Sequence, residues 1–263
     1  MPNFAANLSF MFNEWDFLDR FQAAADAGFK AVEYLFPYEH APEVIARKLE
    51  GAGLTQALFN LPPGDWAKGE RGLAAIPDRF DDVKAGLERA IPYIEATGVK
   101  RVHLMAGIID WDDTVAMAAY RRSLAHVAEG LAERGVTLLI EPINRIDMPG
   151  YFLDSVDRAA GLIPLLRLQN LRLQFDIYHA QIIHGDVTTC LRNAMHVLGH
   201  VQVASVPSRH EPDDEELNYA FLFAELDRLG YGGHVGCEYR PRGRTEDGLG
   251  WLAPWMDGAR VAA

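Results

Sequence analysis

Apolar residues fall into two patterns that take turns along the chain. One is a short continuous run rich in β-branched and aromatic residues: Phe4–Phe10, Phe29–Phe36, Leu54–Asn60, Val99–Met105, Val136–Ile140, Leu171–Asp176, His200–Ala204 and His234–Glu238. Runs of this length without polar alternation predict strands buried on both faces. The other pattern repeats at helical spacing, over Trp15–Ala27, Pro42–Leu49, Phe80–Thr97, Asp113–Arg134, Leu153–Leu166, Val187–Leu198, Tyr219–Leu229 and a tail, Thr245–Trp255. Gly28, Gly98, Gly135 and Gly230 follow these segments, where a helix commonly ends in a left-handed residue. Eight β-plus-α units predict an α/β fold of the (β/α)8 TIM-barrel type. A doubly wound open sheet is the competing architecture. It would carry a glycine-rich phosphate turn after its first strand, and Asn7-Leu-Ser-Phe is not one. Residues 61–76, with Pro62, Pro63, Gly64, Gly69 and Gly72, follow neither pattern. A stretch that long inside a compact domain points to a functional loop, the alternative being a surface excursion.

Composition agrees and narrows the partners. The 263 residues are close to the roughly 250 of one such barrel, and no linker divides them, so a single domain over 1–263 is expected. A formal charge of −12 argues against a nucleic-acid surface, which needs a basic stripe, though a local patch of Arg or a metal can still hold an anion. No apolar stretch is long enough for a membrane span, and no basic segment followed by an apolar run opens the chain, which makes the cytoplasm the default location. Cys190 and Cys237 do not form a disulfide framework, and Cys237 reads as a small buried thiol. The expected partner is a small molecule. A homo-oligomer is compatible with the sequence, which does not choose between dimer and tetramer.

The chemistry gathers at strand ends. The run Val136–Ile140 delivers Glu141, and Pro142 stops the strand; the later runs deliver Asp176, Gln202 and Glu238. These four are 35, 26 and 36 residues apart (141 to 176, 176 to 202, 202 to 238), about one β-plus-α unit each. The C-terminal mouth of a barrel is where its chemistry sits. One strand-end acid is ordinarily a solvated loop residue, but oxygen-bearing side chains on four consecutive strands predict a site for one hard divalent cation, Mg2+ or Mn2+ rather than Zn2+. His179, three residues past Asp176, and His103, near the end of strand four, are candidate substrate contacts, with packed or capping histidines as the alternative. Arg209, in Arg209-His-Glu211, could clamp a substrate carboxylate in a two-pronged hydrogen bond, or simply belong to a solvated charge run. Asn7 and Glu211 complete the expected substrate contacts. Lys68 and Arg71 are weaker candidates for the carboxylate, and Trp66 could help close the loop over the mouth.

With these residues in view, the chain resembles the hydroxypyruvate isomerase family within the xylose-isomerase-like barrels, close to the 2-oxo-tetronate isomerases. The resemblance spans nearly the whole length. It is carried by Phe4-Ala-Ala-Asn7-Leu-Ser, Glu33-Tyr-Leu-Phe-Pro-Tyr38, Phe59-Asn-Leu-Pro-Pro-Gly-Asp65, Val102-His-Leu-Met-Ala-Gly107, Glu141-Pro-Ile-Asn144, Pro149-Gly-Tyr-Phe-Leu153, Phe175-Asp-Ile-Tyr-His-Ala-Gln181, Arg209-His-Glu-Pro212 and Gly236-Cys-Glu-Tyr239. The family implies a divalent metal on Glu141, Asp176, Gln202 and Glu238, with Glu141 and Glu238 also moving protons. His179 and Arg209 match positions that contact substrate in related sugar epimerases. Those epimerases usually carry His at the position of Gln202, which favours the isomerase branch. Ser205, Ser208 and Glu215 depart from the Asp or Gly of many relatives and bear on substrate identity. The implied reaction is interconversion of hydroxypyruvate and tartronate semialdehyde (2-hydroxy-3-oxopropanoate) by proton transfer through an enediolate. The alternatives are the same chemistry on a 2-oxo-tetronate, 3-epimerisation of a ketose, and binding of a sugar acid without turnover. Two proton carriers speak against the binder, which needs none.

Overall fold

The computed structural model describes residues 2–256. Eight strands, β1 (Asn3–Asn7), β2 (Ala31–Glu33), β3 (Thr55–Asn60), β4 (Arg101–His103), β5 (Thr137–Ile140), β6 (Leu171–Asp176), β7 (Leu198–Val203) and β8 (His234–Cys237), pair in sequence order and close into a barrel. Every pairing is parallel, including β8 back onto β1, where Ala5 lies opposite Gly236. Helices α1 (Arg20–Asp26), α2 (Pro42–Ala52), α3 (Phe80–Thr97), α4 (Thr114–Ala132), α5 (Val156–Leu166), α6 (Ile177–His184), α7 (Val187–Ala194), α8 (Tyr219–Arg228) and α9 (Ala253–Met256) lie between and after the strands. No helix of the described residues is long and apolar enough to cross a membrane. The core is the apolar layer between sheet and helices, with Phe21, Phe29, Phe59, Tyr120, Phe152 and Phe223 among its fully buried side chains.

Among the departures from the expected elements, two strand ends and one helix have a clear local reason. The first strand stops at Asn7 rather than Phe10, because the amides of Phe10 and Met11 both donate to the Asn7 carbonyl and turn the chain. The second ladder is limited to Ala31–Glu33, where its register against β3 slips. The helix α6 has no counterpart in the sequence reading. Ile177 to Ala180 are all buried while Ile182 and Ile183 lie on the half-buried second turn, so apolar residues are spread around the segment and the helical period is faint. Asp176 ends β6 and also caps this helix, its side chain accepting from the Tyr178 amide at 2.9 Å.

The barrel carries a buried polar side chain at the C-terminal end of every strand: Asn7, Glu33, Asn60, His103, Glu141, Asp176, Gln202 and Glu238. The β3–α3 connection lies against this mouth. Gly72 pairs with Ala106 beyond β4, and the amides of Ala74 and Ala75 donate to the carbonyls of Met105 and Ala106. A methyl group on Gly72, whose φ is 109°, would overlap the Met105 main chain. The irregular stretch is therefore a docked loop, and the close approach is what fixes it. Gly69 shares the left-handed backbone (φ 91°) but has nothing within 4 Å of a would-be methyl. Gly72→Ala should thus cost about 1–3 kcal/mol more than Gly69→Ala in denaturant unfolding, the overlap adding to the shared backbone strain. Equal losses would show that the contact with Met105 carries no weight.

Candidate active site

A cavity of about 280 Å3 opens at the barrel mouth, with Glu141, His179 and Glu238 in its buried wall and Phe36, Trp66 and Arg71 among its outer residues. Glu141 follows β5 directly and Glu238 follows β8, so each carboxyl is placed where the strand ends and the loop turns away. Glu141 Oε1 and Asp176 Oδ2 are buried and accept no hydrogen bond. The His179 ring stands beside both, Nε2 lying 3.9 Å from Glu141 Oε1 and 3.7 Å from Asp176 Oδ2. Its Nδ1 is paired with the Asn144 amide at 2.7 Å, which fixes the ring. Glu141, Asp176 and His179 each offer one atom within 4.8 Å of the others, a grouping that could hold a metal ion. Two acid oxygens left without donors in a buried wall fit such an ion, since a buried carboxylate needs a cation or a proton.

Glu238 differs in being fully engaged. Arg209 Nη2 donates to its Oε1 at 2.7 Å, and Asn7 and Gln202 donate to Oε2 at 2.9 and 2.7 Å. Arg209 also donates to Asp147 at 3.2 Å and lies 3.7 Å from Asp176. Its backbone is left-handed (φ 55°), an uncommon state for arginine that the surroundings must enforce. The guanidinium lines the cavity, as the substrate clamp expected from sequence would, but its charge is already shared with Glu238 and Asp147. Gln202 presents Nε2 to both Glu238 and Glu33 (2.7 Å each), while its oxygen accepts from Gln174 at 2.7 Å. To offer that oxygen to an ion beside the acids, the amide must turn over. Gln174 Oε1, buried and unpaired, could accept from the turned amide once Gln174 rotates as well.

The other expected contacts separate. His103 lines the cavity with both ring nitrogens unpaired, Nδ1 standing 3.6 Å from Glu141. Asn7 lies behind Glu238, bridging it to Glu33, and is not part of the cavity lining. Glu211 is buried in the next loop, where it accepts from the Arg242 amide and faces a separate depression with Asp213 and Arg242; it belongs to the loop, not to the mouth. Lys68 is exposed and paired with Asp65, whereas Arg71 reaches the cavity. Ser205 accepts from the His210 amide and Glu215 from the Ser208 amide, so these departures shape the β7–α8 loop. Sequence reading passed over Glu33, His200 and Gln174. Glu33 is fully buried and takes hydrogen bonds from Asn7, Gln202 and His200. Its signal was present, an acid ending a strand before Tyr34-Leu-Phe-Pro; Gln174 lies two residues before Asp176, on the same face of β6.

Burial dominates the electrostatics. It raises the Glu141 carboxyl well above the usual range, and the charges of Glu238 and Asp176 push the same way. Burial lifts Asp176 to about 6 against the opposing pull of Arg209, and lifts Glu238 to about 8. Burial lowers His103 to about 3 and His179 well below the ordinary imidazole value, so both rings are neutral.

A family model described as "Xylose isomerase-like TIM barrel" matches residues 21–255. The chain is 54% identical to the 2-oxo-tetronate isomerase of Cupriavidus necator, over 97% of this chain and 99% of that one. It is 40% identical to the hydroxypyruvate isomerase of Escherichia coli, over 97% and 100%. Among solved structures, one described as AP endonuclease, family 2 from Brucella melitensis superposes with a TM-score of 0.96 at 49% identity, covering 98% of this chain and 100% of that one.

Raised carboxyls carry protons that a cation must displace. Protonation of Asp176, Glu238 and Glu141 stabilises the fold fully below the usual carboxyl range, and that contribution is lost as pH rises through about 6 for Asp176 and about 8 for Glu238, Glu141 being raised well above its usual range as well. Divalent-ion binding should therefore release protons at neutral pH and tighten as pH rises from about 6 to about 8. Calorimetric titration in buffers of different ionisation enthalpy measures the release. A binding constant independent of pH would mean that these acids are already ionised.

Proposed function

The chain belongs to the xylose isomerase-like TIM-barrel family and is an isomerase of it, and we propose that it interconverts hydroxypyruvate and tartronate semialdehyde with one divalent ion, Mg2+ or Mn2+. The observation that carries this reading is the pair Glu141 and Glu238, two buried carboxyls in the wall of one cavity, both with raised pKa. A carboxyl raised from its usual range, as Glu238 is to about 8, can both take and give a proton at working pH, which general acid–base catalysis requires. One glutamate removes a proton from C3 of hydroxypyruvate and the other delivers one to C2, while the hydroxyl proton passes from O3 to O2. Each acid ends the cycle in the other's protonation state and is restored by solvent or by the reverse reaction. Neutral His103 and His179 can contact the substrate oxygens without adding charge. Held by Glu141, Asp176, Glu238 and Gln202, with His179 alongside, a divalent ion would supply positive charge against the developing enediolate.

A second reading, the same proton transfer on a four-carbon 2-oxo-tetronate, is favoured by the name of the 54% identical relative. The DNA chemistry in the name of the Brucella structure is not carried over, since a formal charge of −12 speaks against binding a phosphate backbone.

Rates with Mg2+ or Mn2+ on hydroxypyruvate, a 2-oxo-tetronate and a ketohexose separate the substrates. Glu141→Gln and Glu238→Gln should fold and bind metal yet lose about 10²- to 10⁴-fold in kcat, since an amide cannot carry the proton. Either variant turning over near the wild-type rate would reduce that residue to a ligand. Deuterium placed at C3 should wash out into water; its full retention at C2 would replace proton transfer by a hydride shift.

A further inference from the structure

The arginines of the barrel mouth divide sharply by partner. Arg209 is neutralised by Glu238 and Asp147, and Arg145 and Arg158 are both paired with Asp154. Glu70, the acid next to Arg71 in sequence, is taken by Arg79. Arg71 itself has no acid partner among the described residues. Its Nη1 donates to two neutral carbonyls, those of Trp66 and Glu70, and its guanidinium lies 3.8 Å from the centre of the Trp66 ring. Nε and Nη2 remain without protein acceptors among the described residues, and together they form the edge that pairs with a carboxylate in a two-pronged hydrogen bond.

Arg71 is also held in place. It precedes Gly72, whose close approach to Met105 docks the loop on the mouth, and the Trp66 ring beneath it packs on Phe36 with centroids 5.5 Å apart. The side chain lines the same cavity as Glu141 and Glu238 but is half-exposed, so it stands nearer the opening than the buried acids. A substrate with its reacting carbons at the acids therefore meets an unneutralised, pre-oriented guanidinium on its way out of the cavity. Arg240, exposed and also without an acid partner among the described residues, lines the cavity too, but its guanidinium stands 6.0 Å from the Phe10 ring against 3.8 Å for Arg71 over Trp66, and Arg71 is in addition tied to two carbonyls.

We propose that Arg71 is the residue that selects an acid substrate, holding the carboxylate in a two-pronged hydrogen bond while Arg209 remains an internal counter-ion. This rests on the acid substrate class proposed above. The carboxylate is bonded to C2 but neither gains nor loses a proton or a bond, so the contact is made before and during the reaction alike and its loss appears in KM rather than kcat.

The test uses the metal-loaded enzyme as wild type, Arg71→Met and Arg71→Lys, with hydroxypyruvate and with dihydroxyacetone, in which a hydroxymethyl group replaces the carboxylate. Arg71→Met should raise KM for hydroxypyruvate on the order of 10- to 100-fold with kcat little changed, and leave dihydroxyacetone untouched. Arg71→Lys, which keeps the charge but not the fork, should fall between. Equal losses on both substrates, or no loss on either, overturn the proposal. Titration with glycerate, an acid that cannot isomerise, reads binding without turnover. Glycerate bound by wild type and lost in Arg71→Met, with no acid isomerised, would keep Arg71 as the carboxylate contact and sink the isomerase reading. Hydroxypyruvate turned over while glycerate binds Arg71→Met as well as wild type would do the reverse.

Discussion

Four carboxylates, Glu33, Glu141, Asp176 and Glu238, are buried at one end of one barrel, and keeping them there is the constraint on which the site depends. An ionised carboxylate in an apolar interior is too costly to stand alone. The barrel meets that cost unevenly. Glu33 is met by His200 and two amides, and Glu238 by Arg209, Asn7 and Gln202. Glu141 and Asp176 keep one oxygen each without a donor. That residue of unmet charge is where a proton or a cation belongs; Glu141 lines the open cavity, and Asp176, outside the lining, offers an oxygen within 4.8 Å of it. The packing agrees: a methyl group on Gly236 would overlap the Glu33 carboxylate, so β8 leaves room for an acid on β2 across the intervening β1.

Sequence and structure part company in an instructive way. The eight-strand barrel was legible because buried parallel strands leave continuous apolar runs, and those runs end where the chemistry begins. Glu141, Asp176 and Glu238 were legible by the same rule, as acids at strand ends. Glu33 obeys that rule too, but at β2, away from the consecutive series on β5 to β8, and spacing alone did not reach it. The helix α6 was invisible because its first turn, Ile177 to Ala180, is wholly buried and blurs the amphipathic period. What sequence could not supply was direction. Arg209 and Glu211 are two residues apart, yet one turns into the acids and the other into the next loop. Asn7 sits at the right strand end and still points behind Glu238 rather than into the cavity.

Direction matters because it separates two uses of positive charge that look alike in a sequence. An arginine already bound to acids in a buried wall stabilises those acids, and moving it to a ligand would strand them. An arginine stacked on an aromatic ring and tied only to carbonyls has given up little of its charge. The first kind sets the charge state of the wall, and the second is free for whatever enters. Arg209 and Arg71 take these parts here, on loops that follow different strands, so substrate selection and acid–base chemistry can change independently.

The same bookkeeping of donors explains why position 202 suits glutamine. The amide donates to Glu33 and Glu238 and accepts from Gln174, three bonds from one side chain. A neutral imidazole offers one donor and one acceptor, so a histidine would leave one of the two acids without its partner, or would have to become cationic. An imidazole would serve well where only a ligand is needed. In this barrel the side chain also joins two acids, and the acceptor it would use after turning its oxygen outward, Gln174, stands beside it on β6. Gln202, Gln174 and Glu33 therefore behave as one unit. Changing the first to histidine without changing the others breaks hydrogen bonds in a wall where water cannot replace them.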